Sequence, residues 1–433
     1  MLISSKLDTI NSRNSKSLKI NLKAPFTELF FCPNLKKLNK MSVVLFDPEF
    51  RSQLFPLAMT RSVADFRIGI STIKEKWEKY LGNQCQCLTP DYLQSKYTNQ
   101  VESELYVNAA VLPNDEIRNA ITDLNSNEAL YFGMDCIAFK TSIKVTWSNL
   151  SDVKDNLKKT EYKERCFVLK HNWQIFKIAG TYIQKDIELF DFNKLDSKHL
   201  IENNQVFGEY LYADPTVKAK GCIFNTDEGP IYLAKGVEVM EGTVIRGPFA
   251  ILEDSTVKLA AKIYGPTVIG PHCKVGGEIS NSILFGYSNK AHDGFIGNTV
   301  VGEWCNLGAD TNTSNLKNNY SQVRVYDYSV DSEINTEEQF CGLMMGDHSM
   351  TGINTMLNTG AVVGVSSNIF GGGFPQKHIP SFSWGGENLV KFKLDKAIEV
   401  ATKMMERRNV SFTDLDLQIL TYIFDNYGLN AAK

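Results

Sequence analysis

Between Ile231 and Gly276 an aliphatic residue falls on every sixth position. Leu233, Val239, Ile245, Ile251, Val257, Ile263, Ile269 and Val275 keep that beat without a miss. Neither a 3.6-residue helix nor a two-residue strand alternation has this period. A solenoid does, if each turn carries short strands joined by tight corners and one aliphatic side chain per hexapeptide points inward. The residues two places earlier are often small or polar (Thr243, Ser255, Ala261, Thr267, Cys273), as tight corners want. Nearby glycines supply backbone freedom. After a slip of register the beat returns at Val301 and Leu307, then at Met345, Thr351, Leu357, Val363 and Ile369. A β-sandwich with chance spacing, or a right-handed β-helix with longer and less regular turns, fits this less well.

The chain of 433 residues is long enough for two or more domains, and its 43% apolar content can fill a substantial core. A formal charge of -3 gives no basic field for nucleic acid. No apolar run reaches the roughly 18 residues of a membrane span. The nine cysteines are scattered, and Cys85 and Cys87 have no second pair to complete a zinc site. Free thiols in a reducing cytoplasm are the simplest expectation.

Residues 1–40 carry eight Lys/Arg against two Asp/Glu and differ in composition from the rest of the chain. They read as an unstructured extension with translation starting normally at Met41, or as a transit or secretory segment. Residues 41–210 read as mixed α/β. Strands are expected at Ser42–Asp47, Glu104–Leu112 and Ala129–Phe139, and helices at Ser71–Leu81, Asp115–Leu124 and Trp173–Phe190, with Ser151–Glu164 a charged connector. That alternation suggests a parallel or mixed sheet. Residues 211–385 hold the solenoid, interrupted by the polar stretch Ser314–Gln339, where an insertion at an exposed corner can build a site. Residues 386–433 hold two helices, Lys391–Arg408 and Thr413–Tyr427. These are expected to cover the end or side of the solenoid.

The segment from Asn289 to Asn315 carries the chemistry. His292, Asn306 and Asn315 are spaced 14 and 23 residues from the histidine. Histidine ionises near neutrality and can act as a general base toward an amine. Asparagines can orient sugar hydroxyls, and corner N–H groups can hold an oxyanion. With the hexapeptide beat, this segment resembles the acetyltransferase site of the bifunctional N-acetylglucosamine-1-phosphate uridylyltransferase/glucosamine-1-phosphate acetyltransferase family. The resemblance implies a left-handed parallel β-helix, acetyl-CoA as cosubstrate, His292 as base, and Asn306, Asn315, Phe295 and Lys290 as substrate-binding residues. It also implies a homotrimer with sites between parallel β-helices. Phe295 stands where the family has Tyr, and Ser280 where it has Lys. Lys290, Lys317 and Arg324 are candidates to hold the sugar phosphate instead. The triple glycine Gly371–Gly373 either admits the pantetheine arm of CoA or forms a flexible exit from the last coil. His348 and His378 read as structural.

In the first domain, strand Val43–Phe46 leads into a stretch with Leu-Phe-Pro-Leu (Leu54–Leu57) and Arg61. It resembles the start of sugar nucleotidyltransferases without their glycine loop, and looks like the variant of that domain fused to a hexapeptide acetyltransferase in Bacteroidetes-type proteins. By that resemblance Arg51, Arg61 and Arg67 would bind nucleotide phosphates and Asp47 would hold Mg²⁺. The expected protein is a cytoplasmic enzyme of UDP-N-acetylglucosamine supply. It would transfer acetyl from acetyl-CoA to glucosamine-1-phosphate and uridylyl from UTP to the product. Two alternatives stay open: an acyltransferase with a non-catalytic nucleotide-binding domain, and a trimeric scaffold. A γ-class carbonic anhydrase needs three zinc histidines, and the six here form no such set.

Overall fold

In the computed structural model, which describes residues 42–97 and 103–431, the six-residue beat becomes three flat faces. Each hexapeptide supplies one short strand, and successive strands go to successive faces. The first face stacks Gln205–Phe207 through Phe295–Gly297, the second Leu211–Ala213 through His378–Ile379, and the third Lys218–Ala219 through Leu389–Lys391. Pairing within the faces is parallel, apart from the last strand of the third. Leu233, Ile251 and Ile269 share a register on the second face, and Val239, Val257 and Val275 on the third. All eight aliphatics of the beat are buried. Each such side chain contributes about 1.5–3 kcal/mol by leaving water. The small residues before them are also buried. Ser255 Oγ donates to Gly270 O at 2.8 Å, and Thr243 Oγ1 to Lys258 O at 3.1 Å, so the corners satisfy their own carbonyls.

The slip after Gly276 has a physical cause. Coils of 18 residues give way to shorter ones, so that Ile263 pairs with Ile279, Ile269 with Leu284, and Val275 with Lys290. Lys290 therefore occupies an inward position that an aliphatic residue fills elsewhere. Ser314–Gln339 leaves the solenoid as an antiparallel hairpin of Arg324–Asp327 and Ser332–Asn335. This hairpin packs on the first domain. Tyr328 meets Phe55 edge-on, and Glu338 pairs with Lys177.

The first domain has a mixed six-stranded sheet in the order Cys85–Leu88, Val43–Phe46, Leu105–Asn108, Asp135–Lys140, Glu128–Phe132, Lys158–Glu161. The Ala129–Phe139 stretch is a hairpin turning at Gly133 rather than one strand, and the charged connector contains a short helix and the last strand. Helix Trp173–Leu189 lies on the second face of the solenoid. Gly180 permits this: a Cβ there would sit 3.2 Å from Pro266 Cβ. Buried apolar residues of both parts form one continuous core.

The edge of the third face is covered by strand Leu389–Lys391, antiparallel to Ser383–Gly385, and the last helix packs over the final coil, with Phe424 edge-on to Phe382 at 5.1 Å and Leu429 N donating to Ser381 O at 2.8 Å. Helix Leu394–Glu406 then buries Ala397, Ala401 and Met405. Helix Asp414–Tyr427 starts at a capping box made by Thr413 and Asp416. It reaches the first domain, where Tyr422 stacks on Tyr92 with ring centroids 4.0 Å apart. Among the described residues no helix is long and apolar enough to cross a membrane, and the eight cysteines form no disulfide. The reading of residues 1–40 and Met41 lies outside the described residues.

Candidate functional site

His292 sits at the corner between the third and first faces, in the turn that joins Asn289–Lys290 to Phe295–Gly297. Its side chain is exposed. It opens on a cavity of about 480 Å³ whose solenoid wall also carries Asn289, Asn306 and Lys274. The opposite wall is Met404, Arg407 and Arg408, from the end of helix Leu394–Glu406. Asn289 and Asn306 are register partners on adjacent coils, and Asn289 Nδ2 lies 3.4 Å from Asn306 Oδ1. Arg408 Nη2 donates to Asn289 Oδ1 at 3.0 Å, which ties the helix to the solenoid wall.

Under this corner lies Lys290. Its side chain is fully buried, and its ammonium donates to the carbonyls of His292 at 2.5 Å, Asp293 at 2.9 Å and Gly276 at 3.3 Å. Burial pushes its pKa down to about 8, against the pull of Asp293 and Asp310. Lys290 is thus inside the coil, holding the turn that presents His292, and does not face the cavity as a phosphate ligand would. The shortened corner turns carbonyls inward, and a buried carbonyl without a donor costs about 1–3 kcal/mol.

Asn315 is on the other side of the first face. It donates to Asn298 Oδ1 at 2.8 Å, and its Nδ2 and the Phe295 ring both crowd the Cα of Gly297. The structure therefore groups His292 with Asn306, and Phe295 with Asn315 on the adjoining face. Lys317 and Arg324 are engaged in the insertion, by Gln322 O at 2.7 Å and by Glu333. A Cβ at Gly371, Gly372 or Gly373 would meet nothing within 4 Å, so within this chain these glycines serve no close approach. His378 stacks on Tyr326, and His348 is half-buried beside Trp304. Loss of water around each ring pushes both pKa values down to about 4. Both keep the structural reading.

The candidate nucleotide site looks different. Asp47 is fully buried. Its Oδ1 accepts from Ser62 Oγ at 2.7 Å and Val63 N at 2.8 Å, and its Oδ2 from Arg51 Nε at 2.8 Å. Burial pushes its pKa up, with Arg51 and these donors pulling the other way. A Mg²⁺ ligand needs room for water and phosphate oxygens, and Asp47 does not fit that role. Among the described residues no group of three or more His, Cys, Asp or Glu could hold a metal. Arg51 is spent on Asp47, Tyr92 OH and the Ala58 and Arg61 carbonyls. Arg61 is buried against the solenoid, paired with Asp347 and, at 3.4 Å, with Glu303. Arg67 pins its own turn by donating to Ile70 O. Sequence reasoning sees charges after a strand but not the carboxylates that claim them. It also missed Lys274, Arg407 and Arg408. The only signal for the last two was an Arg pair ending an amphipathic helix.

Residues 43–194 match the sugar nucleotidyl transferase family model. Relatives over part of the chain include the bifunctional protein GlmU of Synechococcus elongatus, 26% identical over 217 residues, covering 47% of this chain and 43% of that protein. The bifunctional sugar-1-phosphate nucleotidylyltransferase/acetyltransferase of Sulfurisphaera tokodaii is 24% identical over 285 residues, covering 62% and 61%. GlmU of Methanococcus aeolicus is 32% identical over 142 residues, covering 32% and 34%. The chain thus spans about half the length of the curated GlmU-like relatives it matches. A hexapeptide transferase family protein from Anaplasma phagocytophilum aligns over 47% of this chain and 92% of its own, at 15% identity and a TM-score of 0.23. Of these relatives, the Sulfurisphaera tokodaii protein is named for both a nucleotidylyltransferase and an acetyltransferase.

Proposed function

We propose that the cleft transfers acetyl from acetyl-CoA to the amine of glucosamine-1-phosphate, with His292 as general base. The observation that carries this is an exposed imidazole, held by a braced turn, lining one cavity with Asn306 and a basic helix end. The amine nitrogen attacks the thioester carbonyl while His292 Nε2 or Nδ1 takes its proton. The C–N bond forms, the C–S bond breaks, and the departing thiolate recovers the proton. Asn306 orients the sugar, and Phe295 and Asn315 meet the part of the substrate that reaches the first face. Apolar residues on the same edge of the solenoid support assembly as a trimer around this cleft: Leu259 is 63% and Ile353 70% exposed.

Thiol release from acetyl-CoA in the presence of glucosamine-1-phosphate tests the reading. His292→Ala is expected to lower kcat about 10²- to 10⁴-fold while CoA still binds. A wild-type protein that releases no thiol with this or any amino-sugar phosphate sinks the assignment.

The family match over residues 43–194 supports a second activity, uridylyl transfer from UTP to N-acetylglucosamine-1-phosphate. Because Asp47, Arg51 and Arg61 are already engaged, that chemistry would need other residues for the phosphates. Pyrophosphate release from UTP separates this reading from a first domain that only docks and braces the solenoid.

A further inference from the structure

The His292 cleft carries more positive charge than acyl transfer itself uses. Lys274 stands on the third face, register partner to Asn289 on the next coil. Arg407 and Arg408 arrive from the opposite side. All three line the cavity, and no carboxylate lines it. Among the described residues none of the three has a carboxylate within 4.0 Å. Several other cations of the same helix and corner are matched, Lys396 and Lys403 flanking Glu399 and Lys262 pairing with Glu278, whereas Lys258 adds a further positive charge beside Lys274. The charge of Arg408, then partial burial, then Lys258 and Arg407 hold the Lys274 ammonium below the usual lysine range. A helix carboxyl end favours cations. That accounts for two arginines at the end of Leu394–Glu406, but not for a lysine facing them from a strand of the solenoid.

We propose that Lys274, Arg407 and Arg408 form a phosphate-binding site at the mouth of the cleft. The proposal rests on the acyl-transfer reading and names what its substrates must carry. Arg408 is oriented by its bond to Asn289, and its remaining N–H groups form part of a fork that matches phosphate oxygens. Lys274 supplies a point charge from the other wall. The phosphate belongs either to the sugar or to coenzyme A, and the same side chains would recognise both.

The test is calorimetric titration of the full chain with coenzyme A, pantetheine, glucosamine-1-phosphate, glucosamine and inorganic pyrophosphate. The Arg407→Gln/Arg408→Gln variant is expected to weaken a phosphate-bearing probe about 10- to 100-fold, and Lys274→Gln about tenfold. Pantetheine and glucosamine should be unaffected. Weakening of coenzyme A alone assigns the site to the cosubstrate, and weakening of the sugar phosphate alone assigns it to the acceptor. Lys274→Gln leaves the helix untouched, so it separates lost charge from a detached helix. The proposal is overturned if the variants bind all three phosphate probes as the wild type does, or if the wild type binds none. If pyrophosphate binding depends on the three cations but neither wild type nor His292→Ala releases thiol, the phosphate site stands and the acyl-transfer reading falls.

Discussion

Arg61→Met is the substitution whose outcome the structure specifies best. Arg61 and Asp347 are both buried where the first domain meets the solenoid. Asp347 Oδ2 also accepts from Thr60 Oγ1 at 2.6 Å, and its Oδ1 from Glu303 N at 2.8 Å. Burial alone would push the Asp347 pKa up. The Arg61 guanidinium, with help from its other neighbours, brings it below the ordinary value. Methionine keeps much of the volume but strands the carboxylate, a loss of about 3–5 kcal/mol. With an unfolding entropy of about 2.1 cal/mol/K per residue, a loss of about 4 kcal/mol lowers Tm by roughly 5 °C for a chain of roughly 390 ordered residues. The pH dependence changes sign. In the wild type this carboxylate stabilises above its unfolded pKa of about 3.9, and the effect is lost as pH falls through its lower folded value. In the variant the folded pKa rises above the unfolded one, so stability falls as pH climbs between them. The deficit should therefore be smaller at pH 5 than at pH 7.5 in urea unfolding. Replacing both residues, Arg61→Met with Asp347→Leu, should recover most of the loss. A single variant that melts within 1 °C of wild type, or a double variant no better than the single, would refute the reasoning.

Lys290→Met should lower acyl-transfer kcat by at least tenfold, because the carbonyls behind His292 lose their common donor. The same lysine has a folded pKa of about 8, below its unfolded value. The unfolded chain therefore holds the extra proton at higher pH, and wild-type stability should rise from pH 8 toward pH 10, by up to about 3 kcal/mol. Denaturation of Lys290→Met over that range should lack the rise. Gly180→Ala gains about 1 kcal/mol of helix propensity at an exposed site. Here its methyl would press on Pro266, so a net loss of about 1 kcal/mol is expected in thermal melts.

The solenoid was legible because its inward positions repeat and nothing else in a folded chain repeats at six. Legibility ended where the coils shortened. With Lys290 in the place of an aliphatic residue, a hydrophobic pattern reads a gap where the structure has a continuous stack. Strand Cys85–Leu88 was missed because its cysteines invited a search for metal, while they are simply small buried residues of an edge strand. The cleft was half visible. His292 and Asn306 lie close in sequence on successive coils. Their facing wall comes from the far end of the chain, at Met404, Arg407 and Arg408, and only folding sets Arg408 against Asn289. The loop after the first strand shows the same limit in reverse. Arg61 looks free until Asp347, 286 residues on, is placed beside it.

The closing helices bear on modularity. Helix Asp414–Tyr427 leans on Tyr92 of the first domain, and its partner helix forms one wall of the His292 cleft. The β-helix therefore cannot be lifted out as an independent unit with its cleft intact. A fragment cut after Gly386 would lose half of the cleft and the strand that closes its sheet. A fragment cut before Gln205 would leave the helix pair without its second support. Graft or fusion designs that treat the two parts as interchangeable would have to carry this tail, together with the surface of the first domain that holds it.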